Sequence, residues 1–146
     1  MFVFFGLVAT LGTVYVETMH VPALAILVGC AMGCLATAIL VLNNLRDMTT
    51  DAAAGKRTLA TRIGRQRTLL LLLVLVCVAF AIPIVALVFK LAPVTVMLVH
   101  FGIPIAAVPV RTAFATTSGA GLVGALKRMA ATQLAYALLF SLGLLV

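Results

Sequence analysis

The sequence predicts an all-α membrane protein, a single transmembrane domain over residues 1–146 with about five transmembrane helices. Hydrophobic residues make up 65% of the 146 residues, whereas charged residues make up only 9%. Mean hydropathy is +1.33, and the apolar residues fall into five long runs. A soluble globular domain is about half apolar and about a quarter charged, so soluble folds and disordered tails are excluded.

The five apolar runs define the predicted helices. A helix crosses the hydrocarbon core of a bilayer with about 20 residues; the second, third and fourth runs fit that length, and the fifth is close. The first run is short, which suggests that upstream sequence is missing, and no basic stretch precedes it as in a signal peptide. The predicted helices cover residues 2–16, 21–42, 69–89, 91–110 and 129–146, and a motif loop covers residues 43–68.

The basic residues set the predicted topology. The chain has 10 Lys and Arg residues against 3 Asp and Glu residues, a net charge of +7. All of the basic residues except Lys90 lie in the segments after the second and fourth runs. Because cytoplasmic loops of membrane proteins are rich in Lys and Arg, these segments are predicted to be cytoplasmic in a multi-pass plasma-membrane protein. Aromatic residues do not interleave with the basic ones, so nucleic-acid binding is not predicted.

One polar segment follows the second run and carries the candidate chemistry. Asn43, Asp47 and Asp51 are spaced four residues apart, so a helix continuing past Leu42 would align them on one face. Two neighbouring carboxylates without His or Cys favour Mg²⁺ over zinc. Gly55 can end such a helix, and the basic residues after it suit a polyanionic ligand such as diphosphate. The same residues also fit a simpler role, as solvated polar groups at a membrane boundary.

The residues of this segment resemble a known family. The pattern N-N-x-R-D-x-x-x-D-x-x-x-G-K-x-T-L-A-x-x-x-G, over residues 43–64, is similar to the second aspartate-rich motif of the UbiA-type intramembrane prenyltransferases. Within that family it most resembles the 1,4-dihydroxy-2-naphthoate prenyltransferase branch. A weaker similarity covers nearly all of the chain, including the Phe-Val-Phe-Phe-Gly-Leu-Val opening at residues 2–8.

The resemblance implies a fold and an activity. The family folds as a nine-helix bundle, of which this chain resembles the second half. It transfers a polyprenyl group from polyprenyl diphosphate to an aromatic acceptor with the help of Mg²⁺. In this branch the acceptor, 1,4-dihydroxy-2-naphthoate, loses CO₂ and becomes demethylmenaquinone, a step of menaquinone biosynthesis.

The resemblance also implies roles for individual residues. Asp47 and Asp51 would be catalytic residues and Mg²⁺ ligands, with Asn43 as a third metal ligand. The diphosphate would contact the amide and basic side chains of the motif: Asn43, Asn44, Arg46, Lys56 and Arg57.

The sequence departs from the family in one respect, because the other aspartate-rich motif is absent. Glu17 is the one acidic residue outside the segment described above. The chain is therefore predicted to be a truncated form that lacks an N-terminal half, and its activity on its own is left open. The alternative from another functional class is a non-catalytic small membrane protein or an oligomeric transporter.

Overall fold

The structure is a computed structural model that describes residues 1–146, and it consists of helices and their connections. The helices are α1 (Phe2–Thr18), α2 (Ala23–Arg46), α3 (Met48–Ala53), α4 (Leu59–Val88), α5 (Val94–Ala115) and α6 (Gly119–Leu145). Helix α1 starts with π-helical turns over Phe2–Val8, and α5 starts as a 3₁₀-helix over Val94–Gly102. The short helix α3 separates the long helices α2 and α4.

Helices α2, α4, α5 and α6 are long and apolar enough to cross a membrane. The all-α membrane fold predicted from composition is therefore confirmed. Four of the predicted spans, about five in number, correspond to these helices; the remaining one corresponds to α1, which is apolar but shorter than a candidate span. Large hydrophobic side chains such as Phe4, Phe101 and Leu134 are more than half exposed on the outside of the bundle, as expected for a surface that faces lipid.

The observed and predicted starts differ most for the two helices that follow polar segments. Helix α4 begins at Leu59 and α6 at Gly119, ten residues before the predicted starts at 69 and 129. Each start is capped, since the Thr58 and Ser118 hydroxyls accept hydrogen bonds from backbone N–H groups three residues later. Hydropathy located only the apolar part of each helix. The segment 43–68, predicted as a loop, is mostly helical for this reason.

Glycines bring α1 against α2. Gly29 and Gly33 on α2 are four residues apart, a pattern of small residues that lets membrane helices pack closely. A Cβ built on Gly6 would lie 2.5 Å from the Gly33 Cα atom and 2.6 Å from the Gly29 oxygen. The two backbones therefore touch at a distance that only glycine allows.

Pro83 lies inside α4, at a position where a proline commonly kinks or breaks a helix. Helix α4 instead keeps helical backbone angles through Pro83 and departs from them only at Gly64, at φ 78° and ψ 168°. Pro83 has no N–H, so it cannot donate to the carbonyl of Ala79 four residues earlier. The buried Tyr136 hydroxyl on α6 donates to that carbonyl at 2.8 Å. The freed backbone group is thus satisfied by a neighbouring helix.

Candidate functional site

The candidate site is built around the junction of α2 and α3. Asp47 lies between the two helices with φ −91° and ψ 4°, outside the helical range. The chain nevertheless keeps its turn, because the Asp47 N–H donates to the Asn43 carbonyl at 3.0 Å and the Asp51 N–H donates to the Asp47 carbonyl at 2.8 Å. The spacing of four residues is therefore preserved across the break. The Asn43 side-chain amide donates to the Asp47 carboxylate at 3.4 Å.

Arg46 holds the Asp47 carboxylate in a two-pronged ion pair. The Arg46 Nε and Nη2 atoms each lie 2.7 Å from one carboxylate oxygen of Asp47. These hydrogen bonds hold the pKa of the Asp47 carboxyl below its usual value, and the positive charge of Lys56 acts in the same direction. Asp47 is therefore a carboxylate at neutral pH, about one third exposed to solvent.

Asp51 is the more buried of the two motif carboxylates. The residue is 9% exposed, and one of its oxygens lies 3.3 Å from the Lys56 Nζ atom. The turn after α3 places that lysine. Gly55 has φ 70°, and the Lys56 N–H donates to the Asp51 carbonyl at 2.8 Å, so the chain reverses in a glycine-capped helix end. The helix ends where Gly55 was expected to end it.

A basic depression lies beside this turn. It has a volume of about 520 Å³, it is open to solvent, and it is lined by Ala52, Gly55, Lys56, Arg57, Thr61 and Arg62. The side chains of Arg57 and Arg62 are exposed and make no hydrogen bond or ion pair within the chain. Sequence reasoning used Arg62 only for topology. Its place one helical turn after Thr58, the cap of α4, is the signal that could have located it in the depression.

The candidate residues do not all converge on one point. Asn43, Arg46 and Asp47 form one cluster, and Asp51 and Lys56 form a second. Arg57 lines the basic depression, whereas the half-buried Asn44 makes no side-chain hydrogen bond. Across the 146 residues, no three His, Cys, Asp or Glu side chains lie close enough to hold a metal ion. The oxygen donors available for a cation are two carboxylates and the Asn43 amide.

The Arg65 side chain on α4 links this helix to the end of α5. Its guanidinium donates to the Ala113 carbonyl at 2.7 Å and to the Thr116 carbonyl at 2.6 Å. Ala113 belongs to the last turn of α5 and Thr116 is its C-cap residue, so the guanidinium lies at the end of the helix where the helix dipole is negative. Sequence reasoning missed this contact, and no local pattern points to it, because the partners are 48 and 51 residues away.

An apolar cleft lies between α4 and α5. Its volume is about 350 Å³, and all but one of its lining residues are hydrophobic. Arg111 is the charged residue at its wall, close in sequence to the Ala113 carbonyl that Arg65 binds. The cleft is lined by Leu73, Val76, Cys77, Phe80, Ile103, Ala106, Ala107, Val110 and Arg111.

Comparison with known proteins gives the family. The family model described as the UbiA prenyltransferase family matches residues 1–122. The chain is 35% identical over 144 residues to the 1,4-dihydroxy-2-naphthoate octaprenyltransferase of Haemophilus influenzae, and this match covers 99% of the chain and 47% of the relative. The chain thus spans about half the length of that relative.

Shorter matches agree with this result. Proteins of the same name from Mycobacterium tuberculosis and Escherichia coli are 49% and 42% identical over 78 and 82 residues, and each match covers 53% of the chain and 27% of the relative. No solved structure matches the chain significantly. Because the family match extends over most of the sequence, the chain belongs to the UbiA prenyltransferase family.

Proposed function

We propose that this chain forms the Mg²⁺- and diphosphate-binding part of an aromatic prenyltransferase. The reaction is the transfer of a polyprenyl group from its diphosphate to 1,4-dihydroxy-2-naphthoate, with loss of CO₂ and formation of demethylmenaquinone. The observation that carries the proposal is the grouping of Asp47 and Asp51 with basic side chains at one end of α2. The names of the relatives described above support the choice of substrates.

The donor set of the site fits Mg²⁺. This ion prefers oxygen ligands and is held in proteins by one or two carboxylates together with water and substrate phosphates. Asp47 and Asp51 would supply the carboxylates, and Asn43 an amide oxygen after its side chain turns over. When bound, Mg²⁺ would neutralise the negative charge that develops on the departing diphosphate.

The basic side chains have a part in both the free and the loaded site. In the free site the Arg46 side chain pairs with the Asp47 carboxylate and the Lys56 side chain pairs with the Asp51 carboxylate. With Mg²⁺ on the carboxylates, the side chains of Arg46 and Lys56 would be free to bind the diphosphate, and Arg57 in the basic depression would add a third positive charge. Arginine suits this task because its planar guanidinium binds phosphate oxygens in pairs.

The apolar cleft between α4 and α5 is the proposed binding site of the prenyl chain. Its lining is almost wholly hydrophobic, so a prenyl group there would be shielded from water. Such shielding prevents water from capturing the allylic cation that forms when the diphosphate leaves. We place the site at the cytoplasmic face of the plasma membrane, because the basic residues concentrate at that end.

The position of the carboxylates argues against a transporter. Ionisable residues on a transport path lie within membrane helices, whereas Asp47 ends α2 and Asp51 belongs to the short α3. The family, by resemblance, uses two aspartate-rich motifs, and these 146 residues carry one. We therefore expect this chain to bind Mg²⁺-diphosphate, and complete transfer to require a second aspartate-rich segment.

The test is binding of radiolabelled octaprenyl diphosphate to vesicles that contain the chain, with Mg²⁺ or with EDTA. Asp47→Asn and Asp51→Asn should each weaken the Mg²⁺-dependent binding about tenfold to hundredfold, the range for losing a charged contact. Glu17→Gln is the matched control, since it makes the same change of carboxylate to amide at the end of α1. The whole of α2, 24 residues or about 36 Å of helix, lies between Glu17 and Asp47. Binding that is equal with Mg²⁺ and EDTA, or equal in all three variants, would refute the proposal.

A further inference from the structure

Arg128 is a cation without a partner on the surface of α6. Its side chain is exposed, and its guanidinium makes no hydrogen bond or ion pair. The Thr132 hydroxyl donates to the backbone carbonyl of Arg128 at 2.9 Å and leaves the guanidinium free. The carboxylates of Asp47 and Asp51 are paired with other cations. Glu17 lies beyond Val14 on α1, and Val14 shares a crevice with Leu144 near the opposite end of α6. No acidic side chain of this protein is therefore available to Arg128.

The position of Arg128 along α6 corresponds to a lipid headgroup region. The apolar stretch after it, residues 129–146, is about 27 Å long as a helix, close to the roughly 30 Å of bilayer hydrocarbon. On α5 the apolar stretch ends at Arg111. Because α5 and α6 are antiparallel and joined by the short turn at 116–118, both arginines lie toward the same end of the bundle. The Arg128 side chain can extend from the apolar boundary toward water.

An apolar groove begins at Arg128 and runs between α5 and α6. Its volume is about 380 Å³, and its walls are Pro104, Ile105 and Val108 of α5 with Arg128 and Ala131 of α6. Ile105 is 42% and Val108 38% exposed, so the groove is open at the surface of the bundle. It thus combines one unpaired cation at headgroup level with an apolar channel that leads into the hydrocarbon.

We propose that this groove binds an anionic phospholipid, with the phosphate on the Arg128 guanidinium and one acyl chain along Ile105 and Val108. Charge complementarity selects the headgroup, because a guanidinium binds phosphate oxygens in pairs and basic pockets between membrane helices attract anionic lipids. A zwitterionic lipid is a poorer ligand, since its own ammonium group competes for the phosphate. This site is separate from the carboxylates and the basic depression at the α2–α3 junction.

The experiment measures which lipid stays on the protein. The chain is inserted into vesicles of phosphatidylcholine with a minor fraction of phosphatidylglycerol, extracted in detergent, washed, and analysed for bound lipid by mass spectrometry. Wild-type protein should be enriched in phosphatidylglycerol over the vesicle composition. Arg128→Gln should reduce the enrichment about fivefold, the effect expected for one basic residue at a membrane surface.

Lys127→Gln is the matched control, because it removes the same charge from the neighbouring exposed residue, which does not line the groove. It should leave the enrichment unchanged, and Arg128→Lys should restore part of it, since lysine keeps the charge but loses the paired geometry. Circular dichroism verifies that each variant is folded. Equal loss in Arg128→Gln and Lys127→Gln, no enrichment in the wild type, or release of the lipid by inorganic diphosphate would overturn the proposal.

Discussion

Replacement of Tyr136 by phenylalanine tests the hydrogen bond that satisfies the Ala79 carbonyl, which Pro83 leaves without a helical donor in α4. The Tyr136 side chain is 1% exposed, and its ring packs edge-on against Phe80 at a centroid distance of 5.3 Å. Phenylalanine keeps this packing and removes only the hydroxyl. The Ala79 carbonyl, 2.8 Å from that hydroxyl, would then lack both its partner on α6 and the helical donor that Pro83 cannot supply.

The expected loss is about 1–2 kcal/mol of unfolding free energy. A buried carbonyl left without a donor costs about 1–3 kcal/mol, whereas hydrogen bonds between membrane helices average about 0.6 and reach about 1.7 kcal/mol. Pro83→Ala restores the N–H that bonds to the Ala79 carbonyl within α4. Tyr136→Phe should therefore cost much less when Pro83→Ala is also present, and the two substitutions should be coupled by about 1 kcal/mol.

The assay is unfolding by titration of SDS into micelles of a mild detergent, followed by circular dichroism at helical wavelengths. All four proteins of the cycle are measured: wild type, each single variant and the double variant. Additive effects would show that the hydroxyl does not compensate for the proline. A wild-type-like midpoint for Tyr136→Phe would contradict the reasoning directly, because it would mean that the Ala79 carbonyl needs no donor from α6.

Two further substitutions have matched controls within the chain. Gly143→Ala should destabilise the fold by about 1–3 kcal/mol, because the new Cβ would lie 2.5 Å from the Thr95 carbonyl oxygen. Its control, Gly124→Ala, places a Cβ that meets nothing within 4 Å and should stabilise α6 by about 0.5–1 kcal/mol. Equal effects of the two substitutions in SDS titration would contradict this. Arg65→Gln should lower the free energy of unfolding by about 1–3 kcal/mol, because it removes two charged hydrogen bonds. Its control is Arg67→Gln at an exposed position, which should be neutral. Equal SDS midpoints for the two variants would refute this role of Arg65.

Local spacing predicted part of the candidate site. The interval of four residues correctly anticipated the contact between Asn43 and Asp47, because a helical turn brings such residues together whatever the rest of the fold does. It did not predict that Arg46 would take both oxygens of Asp47. That pairing depends on the break in backbone angles at Asp47, which composition and periodicity do not reveal.

Hydropathy predicted the membrane-crossing parts of the helices but not their ends. The start of α4 at Leu59 depends on the Thr58 cap, and its path through Gly64 depends on a backbone conformation open to glycine alone. The largely polar segment 59–68 therefore belongs to α4, with an interruption of the helical angles at Gly64, although such residues do not belong in a bilayer core. The metal and diphosphate roles of the motif residues stay predictions until binding is measured.

By itself, the sequence determined an all-α protein with membrane-crossing helices and a polar motif at one helix end, because apolar run length and residue spacing act locally along the chain. Tertiary structure alone decided which distant groups meet. Tyr136 reaches the Ala79 carbonyl and Arg65 reaches the end of α5 across 57 and 48 residues of sequence. Such contacts follow from the need to satisfy every polar backbone group within the bundle, and only the packed helices show which side chain does so.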